Sequence, residues 1–178
     1  VTVKLEGSYL NTNNANGSDA SITRTVSPGT TEDFSFAGLN SIAGERDTYY
    51  HANVIHDLAK SIHSGLTGAD YVMPAKVNIG SEDSYWPCNA YWDYTSINLF
   101  SAGGGCAATD QMADVVYHEY GHGLQQFIYD PYSPNYSSSG LSEGCSDYWG
   151  MTLTNSPCLG NGFFGEGTCL RDGNNTLQ

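Results

Sequence analysis

Apolar and polar positions along the chain change period several times, and each change marks an element. Val1, Val3 and Leu5 alternate with Thr2, Lys4 and Glu6, and residues 22–26 alternate again, as half-buried strands require. Residues 11–19 between them are rich in Asn, Gly and Ser and read as a loop, with a turn at Ser27-Pro28-Gly29. This predicts a β-hairpin in an N-terminal β segment, residues 1–38, either appended to the body or at the edge of its sheet. Over residues 47–65 the period becomes helical, with Tyr49, Ala52, Ile55, Leu58, Ala59 and Ile62 on one side and Gly65 as the stop. Residues 71–79 read as a strand broken by Pro74, and residues 90–100 as a second strand before a glycine-rich turn. Met112, Val115, Val116, Leu124 and Phe127 outline a helix capped by Thr109 or Asp110 and ended by Asp130-Pro131. After a polar loop, residues 141–153 return to helical spacing. The expectation is an α+β body, residues 39–178, with a twisted, mostly antiparallel sheet packed on two long helices.

Composition narrows the partners. Among 178 residues, 19 acids face 6 bases for a net charge of −13, so phosphate is repelled and nucleic acid is not an expected partner. Acid richness with few lysines fits a secreted protein that takes up calcium through carboxylates, and fits simple solubility equally well. No apolar run is long enough to cross a membrane, and Val-Thr-Val-Lys is no signal peptide, so any such segment is expected to have been removed. The five cysteines contain no CxxC pair. Cys88 with Cys106 and Cys158 with Cys169 are read as disulfides of an oxidising, extracellular compartment, leaving Cys145 as a buried, inert thiol. His51, His56 and His63 lack the spacing of a ligand pair and are read as surface or packing residues.

The strongest chemical signal is His118-Glu119-Tyr120-Gly121-His122. On a helix, the two imidazoles sit one turn apart on one face and can share a zinc ion, with Glu119 beside them to take a proton. From this chain's own His and Glu content, such a pattern arises by chance about 0.005 times. A catalytic zinc needs a third protein ligand. Glu143 is the best candidate, at the start of the next helix, and Asp147 four residues on would hold a ligand imidazole in its working tautomer. Gly121 and Gly123 cost about 1 kcal/mol each in a helix, tolerable where another group must come close. No nucleophilic-serine context competes.

HEYGH followed by Ser142-Glu143-Gly144-Cys145-Ser146-Asp147 resembles the thermolysin-like gluzincin zinc metallopeptidases, with the fungalysin group as the nearest alternative. Residues 49–66, Asn89-Ala90-Tyr91-Trp92 and Asp114-Val115-Val116 agree with that family in the same order, so the resemblance covers about residues 45–170. It implies a secreted endopeptidase acting on peptide or protein substrate as a monomer. His118, His122 and Glu143 would be its zinc ligands and Glu119 its general base. Asn89, Ala90 and Tyr91 would be the edge strand that pairs with substrate. It further implies an oxyanion-stabilising tyrosine among Tyr129, Tyr132 and Tyr136, and calcium as a second cation with Asp114 and Glu166 as ligands. The family also has a helical C-terminal lobe carrying a histidine that stabilises the oxyanion and an arginine that supports the site. The last histidine here is His122, so that lobe is expected to be truncated or absent. The alternative function is a zinc-binding or protein-binding module that keeps the metal without turnover.

Overall fold

A computed structural model describes residues 1–130 and 139–174. Thr2–Lys4 (β1) and Ser21–Thr23 (β3) pair antiparallel, with Val3 opposite Ile22. The Asn-rich stretch between them is not a loop throughout. Leu10–Asn14 (β2) is a strand, because Leu10 and Thr12 turn inward and are buried while Asn11 and Asn13 face out. The N-terminal segment therefore contributes directly to the main sheet.

That sheet has the order β2-β4-β6-β5, with Met73–Ile79 (β4), Ala90–Trp92 (β5) and Ile97–Phe100 (β6). β2 and β6 both run parallel to β4, and only β5 is antiparallel, to β6. The sheet is thus mixed, with most pairings parallel, which corrects the mostly antiparallel expectation. The cause is the long helix Ala43–Ile62 (α1), which lies between β2 and β4 in the chain and lets the second strand start from the same end as the first. Pro74 sits inside β4 opposite Asn11 and does not break it. The single strand expected over residues 90–100 is a hairpin. Asp93 folds its turn, its Oδ1 accepting the backbone N–H groups of Thr95 and Ser96 at 3.0 and 2.6 Å.

α1, Ala113–Tyr129 (α2) and Ser139–Thr154 (α3) are the three α-helices among the described residues. Ile55, Met73, Val77, Leu99, Val116, Tyr120 and Leu124 fill the space between the sheet, α1 and α2. Thr109 and Asp110 form a short 3-10 turn before α2 and cap neither helix. Thr109 Oγ1 accepts the N–H of Phe100 at 2.7 Å, and buried Asp110 accepts that of Asn78 at 2.9 Å. Met112 takes the N-cap position with no side-chain bond. His56 is buried against the Tyr9 ring, and His51 meets the Tyr117 hydroxyl at 2.6 Å, both packing roles.

Both disulfides form as read, Cys88–Cys106 and Cys158–Cys169. Cys145 is half-buried rather than buried, because the next residue, Ser146, is the one that turns fully inward from α3. After α3, Cys158–Leu159 (β7) and Arg171–Asp172 (β8) make a small antiparallel hairpin across the second disulfide. Among the described residues, no helix is long and apolar enough to cross a membrane.

Candidate metal centre

His118 and His122 lie one turn apart on α2, and Glu143 reaches them from the first part of α3. The two helices approach closely because Gly121 has no side chain. A Cβ there would come within 3.1 Å of the Ser146 backbone and of the Trp149 ring. On the adjacent face Gly123 lets the Trp92 ring of β5 pack close, 3.2 Å from where a Cβ would stand.

The two imidazole Nε2 atoms are 3.1 Å apart, and the Glu143 carboxylate lies 3.3 Å from His118 Nε2 and 3.4 Å from His122 Nε2. Ligands at 2.0–2.2 Å from a tetrahedral zinc ion stand about 3.3–3.5 Å from one another, so this triangle has the size such an ion needs. The donor chemistry agrees. His118 Nδ1 is 2.8 Å from Asp147, an acceptor that fixes the proton on that nitrogen. His122 Nδ1 is 3.0 Å from Ser142 Oγ, whose hydroxyl can donate to that nitrogen or accept from it and so orients the second imidazole. With Nδ1 of His118 on Asp147 and Nδ1 of His122 on Ser142, each ring leaves its Nε2 for the triangle, where a metal ion in place of a proton would satisfy both nitrogens and the Glu143 carboxylate. This His-His-Glu cluster is compatible with a metal such as zinc, and it is the one such group among the described residues.

Electrostatics follow from burial and crowding. Burial would lower the pKa of His118, but Asp147 and Glu143 outweigh it and raise it to about 9. Burial and the neighbouring His118 lower that of His122. Asp147 is held down at about 2 despite its burial by hydrogen bonds from His118 and Arg171. Glu119 is buried beside the triangle without joining it. Burial pushes its carboxyl up to about 7, near neutrality, against the pull of His118.

A cleft of about 760 Å³ opens over the triangle. Asn89, Ala90 and Tyr91 line one wall, together with Trp92 and Tyr94, and the C-terminal hairpin supplies Leu159, Phe163, Phe164, Leu170 and Arg171 opposite. The sequence reading did not anticipate Arg171. Its guanidinium grips Asp147 with both arms, Nε at 2.7 Å and Nη2 at 2.6 Å, and lies 3.5 Å from Glu143. A signal for it existed, since Arg171 is the first Lys or Arg after Lys76. Ser142 was likewise not singled out.

The remaining candidates separate. Tyr129 closes α2 about two turns beyond His122 and is not among the cleft residues. Tyr132 and Tyr136 lie outside the described residues. Asp114 accepts the backbone N–H groups of Gly160 at 2.7 Å and Asn161 at 3.3 Å, tying the hairpin to the start of α2. Glu166 is exposed in that hairpin. Neither belongs to a metal-binding group of three among the described residues.

No protein-family model and no curated protein matches the chain. Among solved structures it is similar to the precursor of protealysin, a metalloproteinase from Serratia proteamaculans, with a TM-score of 0.60 and 18% sequence identity. The likeness covers 89% of this chain and 50% of that one, so the chain spans half the length of this neighbour. At that identity the shared property is the fold, a metalloproteinase-type α+β fold.

Proposed function

We propose that this chain is the zinc-bearing lobe of a secreted zinc-dependent endopeptidase of the thermolysin-like gluzincin type. The observation that carries the reading is the position of Glu119, which borders the same cleft as the His118, His122 and Glu143 triangle yet is none of its three donors. In that role His118, His122 and Glu143 hold the ion. Zinc held there would lower the pKa of a bound water and polarise a substrate carbonyl.

The chain's own residues do the rest. Glu119, raised toward neutral pH by burial, accepts a proton from the attacking water and passes it to the leaving nitrogen. Among the described residues β5 has a partner strand only on its β6 side, and residues 89–91 line the cleft, so an extended peptide can pair with it there. Asp147 and Ser142 hold the two imidazoles in orientation. Arg171 fixes Asp147 and brings positive charge to the cleft where negative charge develops on the substrate oxygen. The two disulfides are compatible with an extracellular setting.

Zinc analysis combined with cleavage of unfolded casein tests this. The expected result is about one zinc per chain, with cleavage abolished by chelator and lowered by about 100-fold or more in Glu119→Gln, which keeps its zinc. Zinc bound without Glu119-dependent cleavage would establish the other reading, a binding module that retains the metal without turnover.

A further inference from the structure

One face of α2 is committed to a single residue of the edge strand. The backbone N–H of Trp92 faces the Glu119 carboxylate and favours its charged form. The Trp92 ring lies over Gly123, within 3.5 Å of where a Cβ would stand, and meets the Phe127 ring edge-on at 6.1 Å between centroids. Its indole N–H donates to Gln126 Oε1 at 2.9 Å. Glu119, Gly123, Gln126 and Phe127 share the 4-3-1 spacing of one helical face, next to the face that carries His118 and His122.

Gln126 differs from its neighbours because its amide has two ends. While Oε1 takes the Trp92 indole, Nε2 approaches the carbonyl of Tyr94 at 3.4 Å. Tyr94 sits in the β5–β6 turn at φ 73, the left-handed region a tyrosine seldom adopts, and its ring is exposed at the cleft. Gln126 is also one turn beyond His122 on the same helix. A single side chain thereby ties the end of β5 and its turn to the helix that bears the metal ligands.

We infer that Gln126 is a positioning residue for substrate: it sets the position of β5 and the Tyr94 turn relative to His118 and His122, so that an extended peptide lies along the strand in register with the metal. This rests on the cleft being a peptide-binding site, and it predicts an effect on binding rather than on metal uptake or folding. Losing this part-buried hydrogen bond is expected to weaken binding by up to about tenfold.

The test measures binding, in a Glu119→Gln background, of a peptide of about six residues, long enough to cover β5 and its turn. Adding Gln126→Leu should weaken that peptide by up to about tenfold, leave zinc content unchanged, and leave a dipeptide too short to reach the turn unaffected. Gln126→Glu keeps an acceptor for the indole and should recover part of the loss. In the same proteins the Trp92 indole N–H resonance, assigned with Trp92→Phe, should move in Gln126→Leu and return toward its original position in Gln126→Glu. Equal affinities in all three proteins, equal losses for both peptides, or no binding of the long peptide would overturn the inference. The casein assay is independent: cleavage with Gln126-insensitive binding rejects this inference alone, and Gln126-sensitive binding without cleavage rejects the enzymatic reading alone.

Discussion

Arg171 holds Asp147 through two charge-assisted hydrogen bonds of 2.7 and 2.6 Å, and Asp147 in turn holds Nδ1 of the candidate ligand His118 at 2.8 Å. A residue on the C-terminal hairpin thereby acts on the metal triangle through one carboxylate. Arg171→Ala should leave Asp147 loosely held and lower zinc affinity by about 10- to 100-fold, as read by competition with a chromogenic chelator. Lysine at this position keeps the charge but lacks the planar fork that matches a carboxylate, so Arg171→Lys should recover only part of the loss. Unchanged affinity in both variants would show that Asp147 needs no support.

The hairpin that carries Arg171 is fastened at two places, by Cys158–Cys169 and by Asp114 on the Gly160 and Asn161 amides. The double substitution Cys158→Ser/Cys169→Ser should lower stability by about 2 to 3 kcal/mol in urea unfolding. It should also weaken zinc binding in the same sense as Arg171→Ala. A stability loss with zinc affinity intact would mean that the Asp114 fastening suffices to place Arg171.

Two glycines of the site helices should respond in opposite directions. Gly121→Ala sets a methyl 3.1 Å from the Ser146 backbone, and backbone cannot swing away, so a loss of about 1 to 3 kcal/mol is expected with α3 pushed outward. Gly144→Ala, beside the candidate ligand Glu143, meets nothing within 4 Å and should gain up to about 1 kcal/mol from helix propensity. Thermal unfolding of both variants, with zinc removed, checks the pair.

Asp110 gives the fold a pH dependence of identifiable sign. Burial raises its carboxyl to about 6, one oxygen has no hydrogen-bond partner, and Gly44 packs against it so closely that no Cβ would fit. The folded state therefore holds this proton more tightly than the unfolded chain. The resulting stability is complete below about pH 4 and is lost as pH rises through about 6. Asp110→Asn keeps an acceptor for the Asn78 N–H and removes the charge. Its stability relative to the original protein should therefore rise between pH 4 and pH 7, by an amount on the order of 3 kcal/mol. Urea unfolding at the two pH values reads this directly, and a difference that does not change with pH would exclude Asp110 as its source.

Much of the centre was legible before any coordinates. His118, His122 and Glu119 follow from the helical repeat, and the Glu143 to Asp147 spacing puts two carboxylates on one face of the next helix. Both cysteine pairings were readable as well, because each closes a short loop. The parallel pairing of β2 with β4 was not, since the Asn-rich run from Asn11 to Asn14 has the composition of a loop and becomes a strand only through burial of Leu10 and Thr12.

The sequence by itself picked out the HEYGH helix, three candidate metal donors and the acid beside them, because a helix of 3.6 residues per turn converts short spacing into a shared face. Only the tertiary structure decided how close α3 stands to α2, and that Arg171 arrives from 24 residues beyond Asp147. Those depend on contacts between residues distant in the chain, such as Gly121 against Ser146 and Trp92 over Gly123, which leave no period in the sequence to read.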